Sequence, residues 1–267
     1  MYSKLRRLMH LILPPILWTG LGKARLWWRL LTNRKSTGYL DPDLNGAVIE
    51  KNLAFKAKTE LGHLDLMSLR GINGIGFTGL KQLRVMDFGG GAGSHYYTAL
   101  RVFPKVDLDW TIVENKSLVA RLNQLDNLDF SVSESISQLI SEKLSFDLAI
   151  LSSSIQYTEN PLDTLEEVIR LNPEFIYITR TALSDYDFGI SLQQFSRLGE
   201  NGPGTSNHKK VKKGIVHRMT AVNRNTFENV LRDRYDIQLY LEEDMSSHKY
   251  KGKYLKYYGY FCVRKPS

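Results

Sequence analysis

From residue 83 onward, short apolar runs alternate with stretches whose apolar residues recur every three or four positions. Residues 83–88, 108–114, 128–132, 146–152 and 175–180 have strand length and are rich in β-branched and aromatic side chains. Between them the period becomes helical, as in Leu162, Leu165, Val168 and Ile169, opened by Asn160 as a cap and Pro161 in the first turn. Such alternation predicts an α/β fold, a doubly wound and mostly parallel sheet with helices on both faces. A helix around Phe227, Val230 and Leu231 and strands over 235–241 and 256–263 complete seven strands, the last two as an antiparallel closing pair.

Upstream, Ile49, Leu53, Ala57 and Leu61 repeat every four residues before Gly62, which predicts a helix buried along that stripe. Glycines over 71–79 predict a break in regular structure. Residues 181–222 lack strong periodicity and include the run His208, Lys209, Lys210, Lys212 and Lys213. They read as a long irregular insertion at the carboxyl edge of the sheet, a lid or substrate loop whose lysines form a solvated face. The organisation expected is a basic amphipathic arm (1–38), a helical cover (39–80) and a main domain (81–267) that carries the 181–222 insertion.

Charge changes the picture for the arm. The chain of 267 residues has 36 Lys and Arg against 28 Asp and Glu, and residues 1–38 contain eight of the cations and no acid, so the body is neutral. Residues 8–18 are apolar except for His10, but they are too short to span a bilayer and are interrupted by Pro14 and Pro15. A secretory leader fits the basic start; the two prolines and the Arg/Trp pattern beyond argue against it. Leu17, Leu21, Ala24, Trp28 and Leu31 then keep helical spacing amid Lys23, Arg25, Arg29 and Arg34. That pattern suits residues 1–35 lying on an anionic membrane surface, and it equally suits a helix packed on its own domain or on a second subunit of a homo-oligomer. An apolar fraction of 42% excludes a disordered chain, and the single Cys262 excludes an internal disulfide. The expected location is cytoplasmic, with peripheral attachment to the inner face of the cytoplasmic membrane through the arm.

The strongest local signal is Val85-Met86-Asp87-Phe88-Gly89-Gly90-Gly91-Ala92-Gly93, a strand entering a glycine-rich turn and a helix. Position 94, where a dinucleotide fingerprint has glycine or alanine, is Ser94, and Asp87 stands two residues before the first glycine. A carboxylate there suits a cationic ligand better than a pyrophosphate. Glu114 closes the next strand, where an acid accepts both ribose hydroxyls of a nucleoside. Ser133, Glu134 and Ser135 follow the third strand, at the adenine edge. Together these residues point to S-adenosylmethionine, whose methionine end carries an ammonium and a sulfonium.

With these motifs the chain resembles a class I, seven-stranded S-adenosylmethionine-dependent methyltransferase. More narrowly, it is similar to a methyltransferase family whose genes tend to occur among those for bacterial surface polysaccharides. The similarity runs from about Gly38-Tyr39 to the C-terminus. It rests on the glycine loop with Gly93-Ser94-His95-Tyr96-Tyr97, the Trp110–Glu114 stretch, Ser152-Ser153-Ser154-Ile155-Gln156-Tyr157 and Thr179-Arg180-Thr181. Where the family pattern has Tyr-Pro-x-Trp after the lid, this chain has Val216-His217-Arg218-Met219. The resemblance implies cofactor contacts from Asp87, Gly89, Gly90, Gly91, Gly93, Glu114, Ser133, Glu134 and Ser152. It also implies transfer of a methyl group to a sugar hydroxyl of a surface glycan or its lipid-linked precursor.

Transfer to a hydroxyl requires alignment and a proton acceptor. His95, in the first turn after the loop, is one candidate base, its alternative being a histidine hydrogen-bonded at a helix start. Tyr157 and His217 are the other catalytic candidates. Gln156, Arg180 and Arg218 are candidates for binding the acceptor, Arg180 through an acidic group or else in a buried structural ion pair. No HExxH, cysteine pair or His/Asp cluster calls for a metal, although Asp185 and Asp187 leave magnesium assistance open. Other functions weighed are a non-catalytic scaffold at the membrane and a methyltransferase for a different small molecule. A neutral body without an Asn/Asp-Pro-Pro-Tyr/Phe-type motif argues against a nucleic-acid substrate.

Overall fold

The computed structural model describes residues 38–197, 201–203, 214–243, 249–250 and 253–266. The arm up to residue 37 and Lys209, Lys210, Lys212 and Lys213 of the insertion lie outside the described residues. After a single 3-10 turn at Gly38–Leu40, two helices, α1 (Pro42–Glu60) and α2 (Leu66–Thr78), precede the sheet. Strands and helices then alternate: β1 (Gln82–Phe88), α3 (Ser94–Val102), β2 (Asp107–Val113), α4 (Lys116–Leu122), β3 (Ser131–Ser133), α5 (Ile136–Ser141), β4 (Leu148–Ser152), α6 (Pro161–Leu171) and β5 (Phe175–Ser184). The remainder comprises β6 (Ile190–Arg197), β7 (Gly214–Asn223), α7 (Arg224–Arg234), β8 (Tyr235–Glu243), the short ribbon β9 (Lys249–Tyr250) and β10 (Lys253–Tyr254), and β11 (Lys256–Arg264).

The sheet runs β3-β2-β1-β4-β5-β11-β8, and along this path only β11 is antiparallel to its neighbours. The expected closing pair is therefore present, with β11 inserted between β5 and β8. Burial on both faces explains why these strands read as continuous apolar runs. Val85, Trp110, Ile112, Leu148, Ile150 and Tyr177 pack beneath Ile72 and Ile75 of α2 and Tyr96 and Ala99 of α3. Their neighbours Met86, Val113, Ala149, Leu151, Ile176 and Ile178 pack on the other side against Leu139, Leu165, Val168 and Phe227 of α5, α6 and α7. Chain order reverses between β1 and β4, which opens a crevice at the carboxyl ends of the strands.

Three expectations are corrected. The glycine stretch at 71–79 is not a break: α2 runs through Gly71, Gly74 and Gly76. A Cβ on Gly74 would lie 2.5 Å from Tyr177 Cγ, so these glycines let the helix approach the sheet. The buried face of α1 is Leu44, Asn45, Lys51, Asn52, Phe55 and Thr59, while Leu53 is 51% exposed and Leu61 80%. The helix covers a polar cavity rather than the apolar core, so its inward face is itself largely polar. The third correction concerns residues 181–222, whose described part is not irregular. β5 continues to Ser184, and β6 and β7 form an antiparallel hairpin in register from Ile190↔Ala221 to Arg197↔Gly214. That hairpin joins the sheet where Leu183 and Ser184 pair with Val222 and Asn223. Its inward positions include Gln194 and His217, which weakens the apolar alternation that would have marked it.

Candidate functional site

Two cavities occupy the carboxyl edge, of about 760 and 510 Å³. Both are lined by Tyr39, Gly89, Glu114, Asn115, Ser153 and Tyr157, where they meet. The larger extends past Phe88 and Val113 to Glu134, Ser135 and Ile136, and on its other side to His217 and Arg218. The smaller runs under α1 along Gly90, Gly91 and His95 to Asp65, Ser152 and Arg180.

The glycine loop is their common floor. Gly89 has φ +73° and donates its N–H to Val113 O at 2.9 Å, and a Cβ there would lie 2.5 Å from that of Ser154. Gly93, at φ +94°, starts α3 and packs against Phe130. It lines neither cavity and serves the loop's shape. β1 and β2 are paired from Gln82↔Asp107 to Phe88↔Val113, which sets Asp87 and Glu114 at adjacent strand ends.

The two acids differ. Asp87 is fully buried beneath Gly90, its carboxylate 3.0 and 3.2 Å from His95 Nδ1, so it faces into the protein rather than the cavity. The His95 ring abuts Gly71, so tightly that a Cβ there would lie 2.6 Å from Cδ2. His95 thus clamps Asp87 under the loop, and this placement favours the helix-start alternative over the general-base role. Glu114 opens onto both cavities. It accepts from Gly91 N at 3.2 Å and from Asn115 N and Nδ2 at 3.0 and 3.1 Å. Burial pushes its carboxyl above the usual range, against the lowering effect of these donors, with the Asp87 charge adding a smaller upward push.

On the far wall, Tyr39, Tyr157 and His217 form an aromatic cluster with centroids 4.7 to 5.3 Å apart. Gln194 Oε1 accepts from the Tyr157 hydroxyl and from His217 Nε2, both at 3.1 Å. Opposite the Gln194 oxygen, His217 Nε2 is the donor of that bond, and Nδ1 is buried. Burial holds both tyrosines protonated, Tyr39 most strongly. Tyr39, from the turn before α1, and Gln194, from the hairpin, give no periodic signal and were not candidates; nor were Asn45, Asn52 and Asp65 of the cover.

Two other candidates, Ser133 and Gln156, line neither cavity. Ser133 turns to Ser135 O and Gln138 Oε1, at 3.1 and 3.0 Å, and so supports the start of α5. Gln156 is buried, with Nε2 on Ser153 Oγ and Arg180 O, so it braces the β5 end rather than meeting a ligand. Ser152 accepts from Arg180 Nη2 at 2.8 Å, and Arg218 lies at the rim with Nε on Ser191 Oγ at 2.6 Å. Asp185 accepts from the Tyr258 hydroxyl, and no group of three metal-ligating side chains gathers among the described residues.

No protein-family model matches the chain, and no curated protein matches it in sequence. Solved structures of similar shape include a Burkholderia thailandensis 1,6-didemethyltoxoflavin-N1-methyltransferase, with bound 1,6-didemethyltoxoflavin and S-adenosylhomocysteine. It is 13% identical over 84% of this chain and 88% of its own, at a TM-score of 0.46. An S-adenosylmethionine-dependent methyltransferase from Clostridium acetobutylicum is 14% identical over 74% and 92%, at 0.47. At such distances function has to be read from the side chains.

Proposed function

We propose that the protein is an S-adenosylmethionine-dependent methyltransferase acting on a hydroxyl of a sugar, in a surface glycan or its lipid-linked precursor. The observation that carries this reading is the junction of the two cavities at Gly89, Glu114 and Tyr157. It sets a nucleoside-type acid and a glycine cradle against an aromatic wall that includes a histidine.

The residues present fit the cofactor. Glu114 offers a carboxylate to the ribose diol, and Phe88, Val113, Glu134 and Ile136 line a slot for adenine. The open backbone of Gly89 to Gly91 suits the methionine end. Asn52 Oδ1 and Ser154 Oγ, buried polar atoms at or beside the cavity walls, lack partners among the described residues. Bound S-adenosylmethionine would supply an electrophilic methyl group on a sulfonium, with a neutral thioether as the leaving group.

This chain contributes alignment and removal of the proton. The Tyr39 and Tyr157 rings suit the apolar face of a sugar, and Glu159, Thr164 and Arg218 suit its hydroxyls. With both tyrosines held protonated, the His217 imidazole is the group of this wall that would take the proton from the acceptor hydroxyl. Attachment of residues 1–35 to the inner membrane face would bring the site to a lipid-linked acceptor.

Calorimetry with S-adenosylhomocysteine tests the cofactor: the wild type binds and Glu114→Ala binds at least about tenfold more weakly. No binding by the wild type, or equal binding by the variant, defeats the reading. His217→Ala keeps that affinity and lowers turnover by about a hundredfold or more. The acceptor is sought by mass spectrometry of surface glycans from cells with and without the gene, the expected difference being one methyl group.

A further inference from the structure

Arg180, at the carboxyl end of β5, has its backbone fixed by neighbours while its guanidinium turns to the cavity wall. Its backbone has φ +55°, a costly conformation for a residue with a side chain, which persists only where the surroundings enforce it. Its N–H donates to Glu243 Oε1 at 2.5 Å, and its carbonyl accepts from Gln156 Nε2 at 3.1 Å. Glu243 is committed elsewhere: it also takes the Thr179 hydroxyl at 2.7 Å and lies 3.4 Å from Arg70. The Arg180 side chain instead turns to the wall of the smaller cavity, where Nη2 donates to Ser152 Oγ and the buried Nε has no partner among the described residues. Among the described residues no carboxylate forms an ion pair with it. Burial lowers its hold on its proton, against the opposing pull of the Glu243 and Asp65 carboxylates.

A largely enclosed, forked cation at a cavity wall, outside any ion pair among the described residues, is the arrangement that recognises a carboxylate or a phosphate. We propose that Arg180 is the receptor for an anionic group of a ligand bound in this cavity. The group is either the α-carboxylate of the cofactor or an acidic group of the acceptor, such as a uronic acid or a phosphate. The inference rests on the cofactor reading only for the first of these sources.

Arg180→Gln and the charge-conserving Arg180→Lys are compared with the wild type. Unliganded Arg180→Gln is expected to unfold at or above the wild-type temperature, because it loses a largely desolvated charge held in no ion pair among the described residues. Calorimetry uses S-adenosylhomocysteine and its decarboxylated analogue, then glucuronate, glucose and inorganic phosphate added to the S-adenosylhomocysteine complex. If the cofactor is the source, the wild type prefers the carboxylated nucleoside by about tenfold or more, and Arg180→Gln binds the two alike. If the acceptor is the source, the wild-type complex binds glucuronate or phosphate but not glucose, Arg180→Gln binds none of them, and Arg180→Lys is intermediate. Equal affinities of wild type and Arg180→Gln for every probe, with a lowered unfolding temperature in the variant, make Arg180 structural and overturn the proposal. A wild type that binds no S-adenosylhomocysteine defeats the cofactor reading, whereas Arg180-dependent binding of glucuronate or phosphate would still support the anion site.

Discussion

Glu114 illustrates a ligand-binding side chain that is costly while no ligand is bound. Its carboxyl is raised above the usual range by burial, so the folded protein retains a proton there at a pH where the unfolded chain has lost it. Its contribution to stability is therefore fully present below the ordinary glutamate range and is lost as pH rises through the raised value. At neutral pH the ionised acid is a burden on the unliganded fold. Glu114→Gln should raise the unfolding temperature at pH 7.5, and the gain should vanish toward pH 4, near the ordinary glutamate pKa of about 4.3. The same substitution should weaken S-adenosylhomocysteine by about tenfold. Thermal scans across pH check the first effect, and a gain that is independent of pH would show that burial of the charge is not its cause.

Helix α2 places two glycines where a side chain would collide with functional and structural neighbours. A Cβ on Gly71 meets the His95 ring that holds Asp87, whereas one on Gly74 meets Tyr177, whose hydroxyl donates to Arg70 O at 2.9 Å. Gly71→Ala and Gly74→Ala should each destabilise by about 1–3 kcal/mol through overpacking. Only Gly71→Ala should also weaken nucleoside binding, because it pushes His95 and Asp87 against the glycine loop. Urea unfolding with parallel calorimetry separates the two, and equal affinities would remove the His95–Asp87 clamp from the binding site. The same elements show what was readable in the sequence. The core strands and the glycine loop were legible because burial on both faces leaves long apolar runs, and because only glycine suits the positive φ at 89, 91 and 93. α1 was legible as a helix, but its buried face was not: the stripe at Leu53, Ala57 and Leu61 faces out, and the inward face is polar because it covers a cavity. The hairpin β6–β7 escaped for the same reason, since Gln194 and His217 occupy inward positions. Arg180 could be named at a strand end, but its strained backbone follows from contacts with Glu243 and Gln156, which are 63 and 24 residues away along the chain.

Over the whole molecule the formal charge of +8 resides in residues 1–38, and the rest of the chain is neutral. Attraction of the protein to an anionic surface should therefore be a property of the arm alone. Where the arm joins the body, Gly38 is buried against the hairpin: a Cβ there would lie 3.4 Å from Val216 O and 3.5 Å from His217 Cβ. The next residue, Tyr39, is already in the aromatic wall of the site. An arm lying on a membrane would thus deliver the cavity mouth to within a few residues of the lipid surface. Each Lys or Arg near an anionic leaflet contributes about 1 kcal/mol, so eight cations with Trp18, Trp27 and Trp28 suffice for binding at low salt. Because that attraction is screened within about 8 Å at physiological ionic strength, it should weaken steeply as salt is raised. The full chain should co-sediment with phosphatidylglycerol-containing vesicles, less so in high salt, and a chain lacking residues 1–35 should not. Equal partitioning of the two would place the arm on the body or on a second subunit, in which case its removal would alter the unfolding temperature or the sedimentation coefficient instead.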